Sequence, residues 1–291
     1  TATDSTGMFG DKAKLDPVEY MLGAAYGWGG NPKEGALYIP GAPEKNDGKT
    51  AYTLTLSKEV PVDGFASITI YNKDGYMDLV INEMLPIVAK EGLADYVDIF
   101  CEDGYFTVED TKNLLTAANK LGLQSKTHVN QFNAIGGVKA SVDLGSLSVD
   151  HLEEMAEEDY EALKESNCMP TILPSCSFFL RIPYGPAKRM IEEGLPVALA
   201  TDYNPGSTPS GNMSFVASLG CIQMKMTPEE VINATTINTA YAMGIEKELG
   251  SICIGKKANL FITKPIPSYA YLPYSFGETL ISKVIINGEL Q

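Results

Sequence analysis

From Asp78 to Gln291 the sequence alternates between two periodicities, and that alternation leaves few folds open. Short runs rich in β-branched residues predict strands at about Asp95 to Phe100, Lys126 to Asn130, Ser148 to Leu152, Pro170 to Pro174 and Val197 to Thr201. Between them, Thr107 to Leu121, Glu157 to Ser166 and Gly185 to Glu193 place apolar residues three and four apart, the spacing of one helix face. Thr107 followed by Asp110 is a capping start. Strands separated by helices run parallel, because each crossover returns the chain to the same end of the sheet. Five such βα units in series predict an α/β fold, the C-terminal part of a (β/α)8 TIM-like barrel.

A further helix starts at Thr227-Pro228-Glu229-Glu230, which combines an N-cap, a first-position proline and first-turn acids; it is expected to reach about Met243. Beyond Gly250, Ile252 to Ile254, Asn259 to Thr263 and Lys283 to Ile286 predict strands of a small β layer outside the barrel. The segment 1–77 follows other rules. It holds one helical stretch at Asp16 to Tyr26, Gly and Pro punctuation from Gly27 to Gly48, and two alternating strands, Ala51 to Leu56 and Phe65 to Tyr71, joined as a hairpin. The domain boundary is placed near Tyr76 to Asp78. About five barrel strands cannot close on themselves, so an open edge needs a cover. The hairpin is one candidate and a homodimer another.

With 22 basic and 37 acidic residues the chain carries a net charge of -15, which repels nucleic acid and anionic membranes. No apolar run approaches the length of a membrane span. The five cysteines, Cys101, Cys168, Cys176, Cys221 and Cys253, form no CxxC pair, so neither a disulfide framework nor a zinc knuckle is expected. Cys101 and Cys253 lie in apolar runs and are read as small buried hydrophobes, which fits a reducing cytoplasm.

The chemistry is read from position. His128, His151 and Asp202 each fall at the C-terminal end of a predicted strand, and the two histidines are the only ones in the chain. In a (β/α) barrel those ends converge on one mouth. Imidazole and carboxylate can hold zinc or iron while leaving positions open for water, whose pKa the metal lowers toward neutrality. Singly, each has a plainer explanation: a hydrogen-bonded structural histidine, or an Asx turn at Asp202 before Asn204-Pro205-Gly206. Their shared position favours the metal.

The segments Lys126-Thr127-His128-Val129-Asn130-Gln131-Phe132-Asn133, Leu147 to Glu153 and Ala198 to Ser207 resemble imidazolonepropionases, amidohydrolases of histidine degradation. So do Leu173 to Leu180, Met226 to Glu230 and Tyr271 to Tyr274. The resemblance spans Asp78 to Gln291. It implies that His128 and Asp202 are ligands of one zinc or iron ion, that His151 is an active-site histidine near it, and that Asn204, Gly206 and Ser207 contact the substrate. Gln131 matches a substrate-contacting position where many members carry Glu, so this sequence departs there from the commoner pattern. The implied reaction is hydrolysis of 4-imidazolone-5-propanoate, a small anion, to N-formimidoyl-L-glutamate. Of the two arginines, Arg181 follows a strand end and either faces the mouth or caps a helix at the surface. Members of this family open their barrel with a His-x-His metal pair, and no histidine precedes His128 here. The competing reading is therefore a catalytically inactive remnant that binds small molecules or partners. Residues from about Phe9 to Tyr76 resemble part of a bacterial, often exported, β-rich family of unassigned function.

Overall fold

The computed structural model describes residues 76–291. The expected helix at 16–26 and hairpin strands at 51–56 and 65–71 lie outside them. The chain divides into two compact units, Thr1–Lys90 and Glu91–Gln291. The described residues open on a helix that passes from Tyr76–Leu79 through a π-helical stretch, Val80–Met84, into Leu85–Glu91, all but its last residue in the first unit.

The second unit is built on a parallel sheet whose strands follow the chain order. The predicted first strand is two pieces, β1 (Tyr96–Val97) and β2 (Phe100–Cys101), interrupted at Asp98 and Ile99; both pair with β3 (Gln124–Val129). Next come β4 (Ser148–His151), β5 (Met169–Ile172) and β6 (Ala198–Leu199), each parallel to its predecessor. The helices between them are α1 (Val108–Lys120), α2 (Gly137–Asp143), α3 (Glu157–Lys164), α4 (Pro174–Leu180) and α5 (Ala187–Glu192). After β6 come α6 (Met213–Ile222), α7 (Pro228–Thr235) and α8 (Ile237–Ala242). A three-stranded antiparallel layer closes the chain, β7 (Leu260–Thr263), β8 (Ile281–Ile286) and β9 (Glu289–Leu290), with a short helix, α9 (Tyr271–Tyr274), between the first two strands. Among the described residues no helix is long and apolar enough to cross a membrane.

The core lies between strands and helices. Val129, Val149, Ile172 and Leu199 form one buried cluster with Val138, Leu163, Met190, Val216 and Val231. Each such side chain contributes roughly 1.5–3 kcal/mol by leaving water. Helices seat closely because of two glycines. A Cβ on Gly137 would stand 2.9 Å from a Val129 methyl and 3.1 Å from the Cys101 sulfur; one on Gly220 would stand 2.8 Å from a Val231 methyl.

Four expectations need correction. Ile252 to Ile254 is a loop, with both isoleucines fully exposed, because among the described residues the small layer gives those backbone groups no partner strand. Cys253 in that loop is accordingly exposed, whereas Cys101 is buried; all five cysteines are free. The strand expected to reach Pro174 stops at Ile172, since Pro174 opens α4. The helix expected from Thr227 to Met243 breaks at Thr236. The hydroxyls of Thr235 and Thr236 turn back onto the carbonyls of Val231 and Ile232, and the break lets Asn238 and Thr239 donate to the Val197 and Leu199 carbonyls at 2.8 and 3.1 Å. These carbonyls belong to the side of β6 that has no partner strand among the described residues, and side chains of α8 cover part of that edge.

Candidate metal centre

Parallel pairing brings the strand ends to one rim. Val129, the last residue of β3, is in register with His151, the last of β4, and Asp202 follows β6 by three residues. One donor atom from each of His128, His151 and Asp202 lies within 4.8 Å of the others. The two imidazole rings are 5.3 Å apart between centroids, with planes inclined at 50°.

Ordinary strand geometry would not gather these groups. Alternation puts consecutive side chains on opposite faces, so Asp150 and His151 should diverge. Asp150 is opposite His128 in register, and its charge acts on that ring. His151 joins them through a backbone φ of 89°, and Asn130, Leu152 and Asp202, with φ of 57°, 64° and 55°, also adopt the left-handed conformation at strand ends. Non-glycine residues adopt it at an energetic cost, and such strain concentrates at functional sites.

Each donor is held from behind. The interruption between β1 and β2 aims Asp98 at His128, whose Nδ1 is 2.8 Å from Oδ1 of that acid, leaving Nε2 free. Burial opposes a charge on His128, but the hydrogen bond to Asp98 and the negative charges of Asp98, Asp150 and Asp202 outweigh it and raise the imidazolium to about 9. A cation binding there must displace that proton. His151 is buried, with Nδ1 3.6 Å from Oε2 of Glu153. Asp202 accepts a hydrogen bond at 2.8 Å from the hydroxyl of Ser207 through Oδ2.

The remaining expected site residues cluster around Asp202. Gln131 is buried and its Nε2 donates to the sulfur of Cys176 at 3.5 Å. Burial, reinforced by the charge of Asp202, pushes the Cys176 thiol up to about 12, so it stays protonated at neutral pH. The amide of Asn204 is fully used within its own turn: Nδ2 donates to the Asp202 carbonyl and to Ser207 Oγ, and Oδ1 accepts from the backbone N–H groups of Gly206 and Ser207. Asn204 thereby fixes Ser207 against Asp202, while Gly206 is exposed on the rim. Arg181 is exposed at the C-terminus of α4 in a left-handed conformation. Arg189 is engaged by Glu157 and Glu193 and lies 4.0 Å over the Tyr160 ring.

Three acids escape the sequence reading. Glu102, buried beside the end of β2, accepts from the N–H groups of Phe132 and Asn133 and from the Asn133 side chain, pinning the loop that carries Gln131. Burial alone would raise its pKa, but these bonds together with the Asp103 N–H hold it below the usual carboxylate range. Asp98 and Glu153 stand behind the histidines. Glu102 and Glu153 each sit just past a strand end, and that position was the available signal.

Residues 101–290 match the model of the amidohydrolase family. The chain belongs to the amidohydrolase family. Among relatives, the imidazolonepropionase of Christiangramia forsetii is 64% identical over 217 residues, covering 75% of this chain and 53% of the relative. That of Flavobacterium johnsoniae is 61% identical over 219 residues, with 75% and 53% covered. The chain thus spans about half the length of the curated relatives it matches. Solved structures share the amidohydrolase fold at low identity. An adenosine deaminase from Xanthomonas campestris with bound zinc aligns with a TM-score of 0.56 at 17% identity, over 64% of this chain and 49% of that one. Atrazine chlorohydrolase from Arthrobacter aurescens, complexed with zinc and atraton, aligns at 0.57 and 14% identity, over 74% and 55%. The (β/α) barrel architecture expected from the sequence is that of this family.

Two imidazoles and a carboxylate suit a divalent cation with room left for water. This donor set fits a divalent metal ion of the kind on which amidohydrolase chemistry depends.

Proposed function

We propose that this chain carries the C-terminal catalytic portion of an imidazolonepropionase, hydrolysing the cyclic amide of 4-imidazolone-5-propanoate to N-formimidoyl-L-glutamate. The observation that carries the reading is the convergence of His128, His151 and Asp202 from three separate strands. The relatives' names support the choice of substrate.

His128 and Asp202 would hold one zinc or iron ion, with His151 beside them. Such an ion, when bound, supplies Lewis acidity that lowers the pKa of water and polarises a carbonyl. The chain's own groups do the rest. Asp202 takes a proton from the attacking water and returns it to the ring nitrogen as the carbon–nitrogen bond breaks, so that water's hydroxyl ends on the carbonyl carbon and its hydrogen on nitrogen. His151 presents its Nε2 lone pair toward the attacking water and accepts a hydrogen bond from it. Gln131 and Ser207 contact the substrate, and Asn204 and Gly206 shape the rim around it. Gln131 has no ionisable proton, so we assign it hydrogen bonding and not proton transfer. Free cysteines throughout accord with a reducing cytoplasm as the compartment.

The test is metal content and turnover on one preparation supplied with zinc or iron. Stoichiometric metal together with formimidoyl-glutamate release, both lost in His128→Ala and the release lost in Asp202→Asn, is the expected result. Substoichiometric metal that His128→Ala leaves unchanged overturns the proposal. A second reading rests on the two-histidine inventory, which provides no His-x-His pair: a chain that binds metal and small anions without turning them over. Retained metal and no product would select it.

A further inference from the structure

The Glu153 side chain is completely buried, and among the described residues its one possible ion-pair partner is His151. Its Oε1 accepts a hydrogen bond at 2.9 Å from the Ser177 hydroxyl in α4, which fixes the direction of the carboxylate. Among the described residues its other oxygen, Oε2, has no hydrogen-bond partner; neither does Nδ1 of His151, and these two buried atoms face each other at 3.6 Å. Two unsatisfied buried polar atoms so close to one another are expensive apart and complementary together, since a shift of less than an ångström turns the pair into a hydrogen bond.

Chemistry decides who donates. A carboxylate already receiving the Ser177 proton presents an acceptor at Oε2, so the proton between the pair belongs to Nδ1 of His151. That choice fixes the other nitrogen. With Nδ1 carrying hydrogen, Nε2 of the neutral ring keeps its lone pair and turns it toward His128 and Asp202. At His128 too an acid stands behind Nδ1, Asp98 at 2.8 Å. The two imidazoles are thus backed by acids from two different parts of the chain. They differ in burial: His128 and Asp98 are partly exposed, whereas His151 and Glu153 are sealed from solvent, so water cannot replace the Glu153 oxygen.

We infer that Glu153 is the positioning residue of His151: anchored by Ser177, it holds the proton on Nδ1 and so commits Nε2 to the metal and substrate side. The inference rests on the metal-centre reading above and adds to it an orienting acid and its serine anchor.

The experiment uses the full chain labelled with 15N at histidine, stripped of metal by chelator. With two histidines, the ring nitrogens give two sets of signals, told apart by His128→Asn. The expected result is a protonated Nδ1 at His151; an unprotonated Nδ1 overturns the inference and needs no variant to fold. In the second arm, Glu153→Leu loses the Nδ1 proton preference and binds zinc about 10- to 100-fold more weakly in a chelator competition, the usual effect of losing an outer-sphere partner. Unchanged zinc affinity in a folded Glu153→Leu also overturns it. Because neither arm measures turnover, both succeed even if the chain hydrolyses nothing, in which case the proposed reaction falls and the positioning role stands.

Discussion

The Asp98 carboxylate orients the His128 ring and holds its proton, which couples cation binding to pH. The folded value, about 9, lies above the ordinary 6.5. The protonated pair therefore contributes its full stabilisation below about pH 6.5 and loses it as pH rises through about 9. The same proton competes with a cation, so zinc affinity measured against a chelator is expected to climb with pH until about 9 and then level off. Asp98→Asn should shift that climb to lower pH and weaken the plateau by about 10- to 100-fold, because an amide neither stabilises the imidazolium nor orients the ring as firmly. A pH profile unmoved by Asp98→Asn would show that another group controls the site. His128→Ala removes a ligand instead of its support and should cost more than Asp98→Asn under identical conditions. His128, His151 and Asp202 were legible because each lies at or just past the end of a strand that its own residues predict. Asp98 was not, because it lies inside an expected strand whose interruption shows only when β1 and β2 both pair with β3.

At the scale of the elements, two of the helices that could be read carry their own start signals. Thr107 and Thr227 both close capping boxes, with Asp110 and Glu230 as the returning acids. Thr227→Ala should cost about 1 kcal/mol of stability in denaturant melts. Helix α2 carries no such signal. It begins after Gly136, whose φ is 96°, and it holds its place by close approach to β3. Gly137→Ala puts a methyl into the Val129 and Cys101 side chains and should destabilise by about 1–3 kcal/mol, with zinc affinity lowered as β3 shifts. A melt within error of wild type would mean that the strand and helix separate more easily than their packing implies. The break at Thr236 has the same lesson. Nothing in 227–243 interrupts helical spacing; what ends α7 is the demand of the β6 edge carbonyls for donors, and Asn238 and Thr239 meet it.

For the whole molecule, a cation that binds only when three strand ends converge must stabilise the fold that makes them converge. At a free zinc concentration about 100 times its dissociation constant the gain is about 2.7 kcal/mol, and calorimetry should show the corresponding rise in melting temperature. The rise should vanish in His128→Ala; its persistence there would place the bound ion elsewhere. A net charge of -15 raises the demand on local groups that receive an anion, and Arg189 is not one of them, being committed to Glu157 and Glu193. By itself the sequence determined the parallel βα order, the strands at or just beyond whose ends His128, His151 and Asp202 lie, and the family likeness, because periodicity and capping are local and survive in one dimension. Tertiary structure alone decided the left-handed turn that brings His151 round to His128, the placement of Asp98, Glu102 and Glu153 behind the site, and the break before α8. Those features answer hydrogen-bonding needs of groups far away in the chain, and a local pattern carries no record of a partner that only folding supplies.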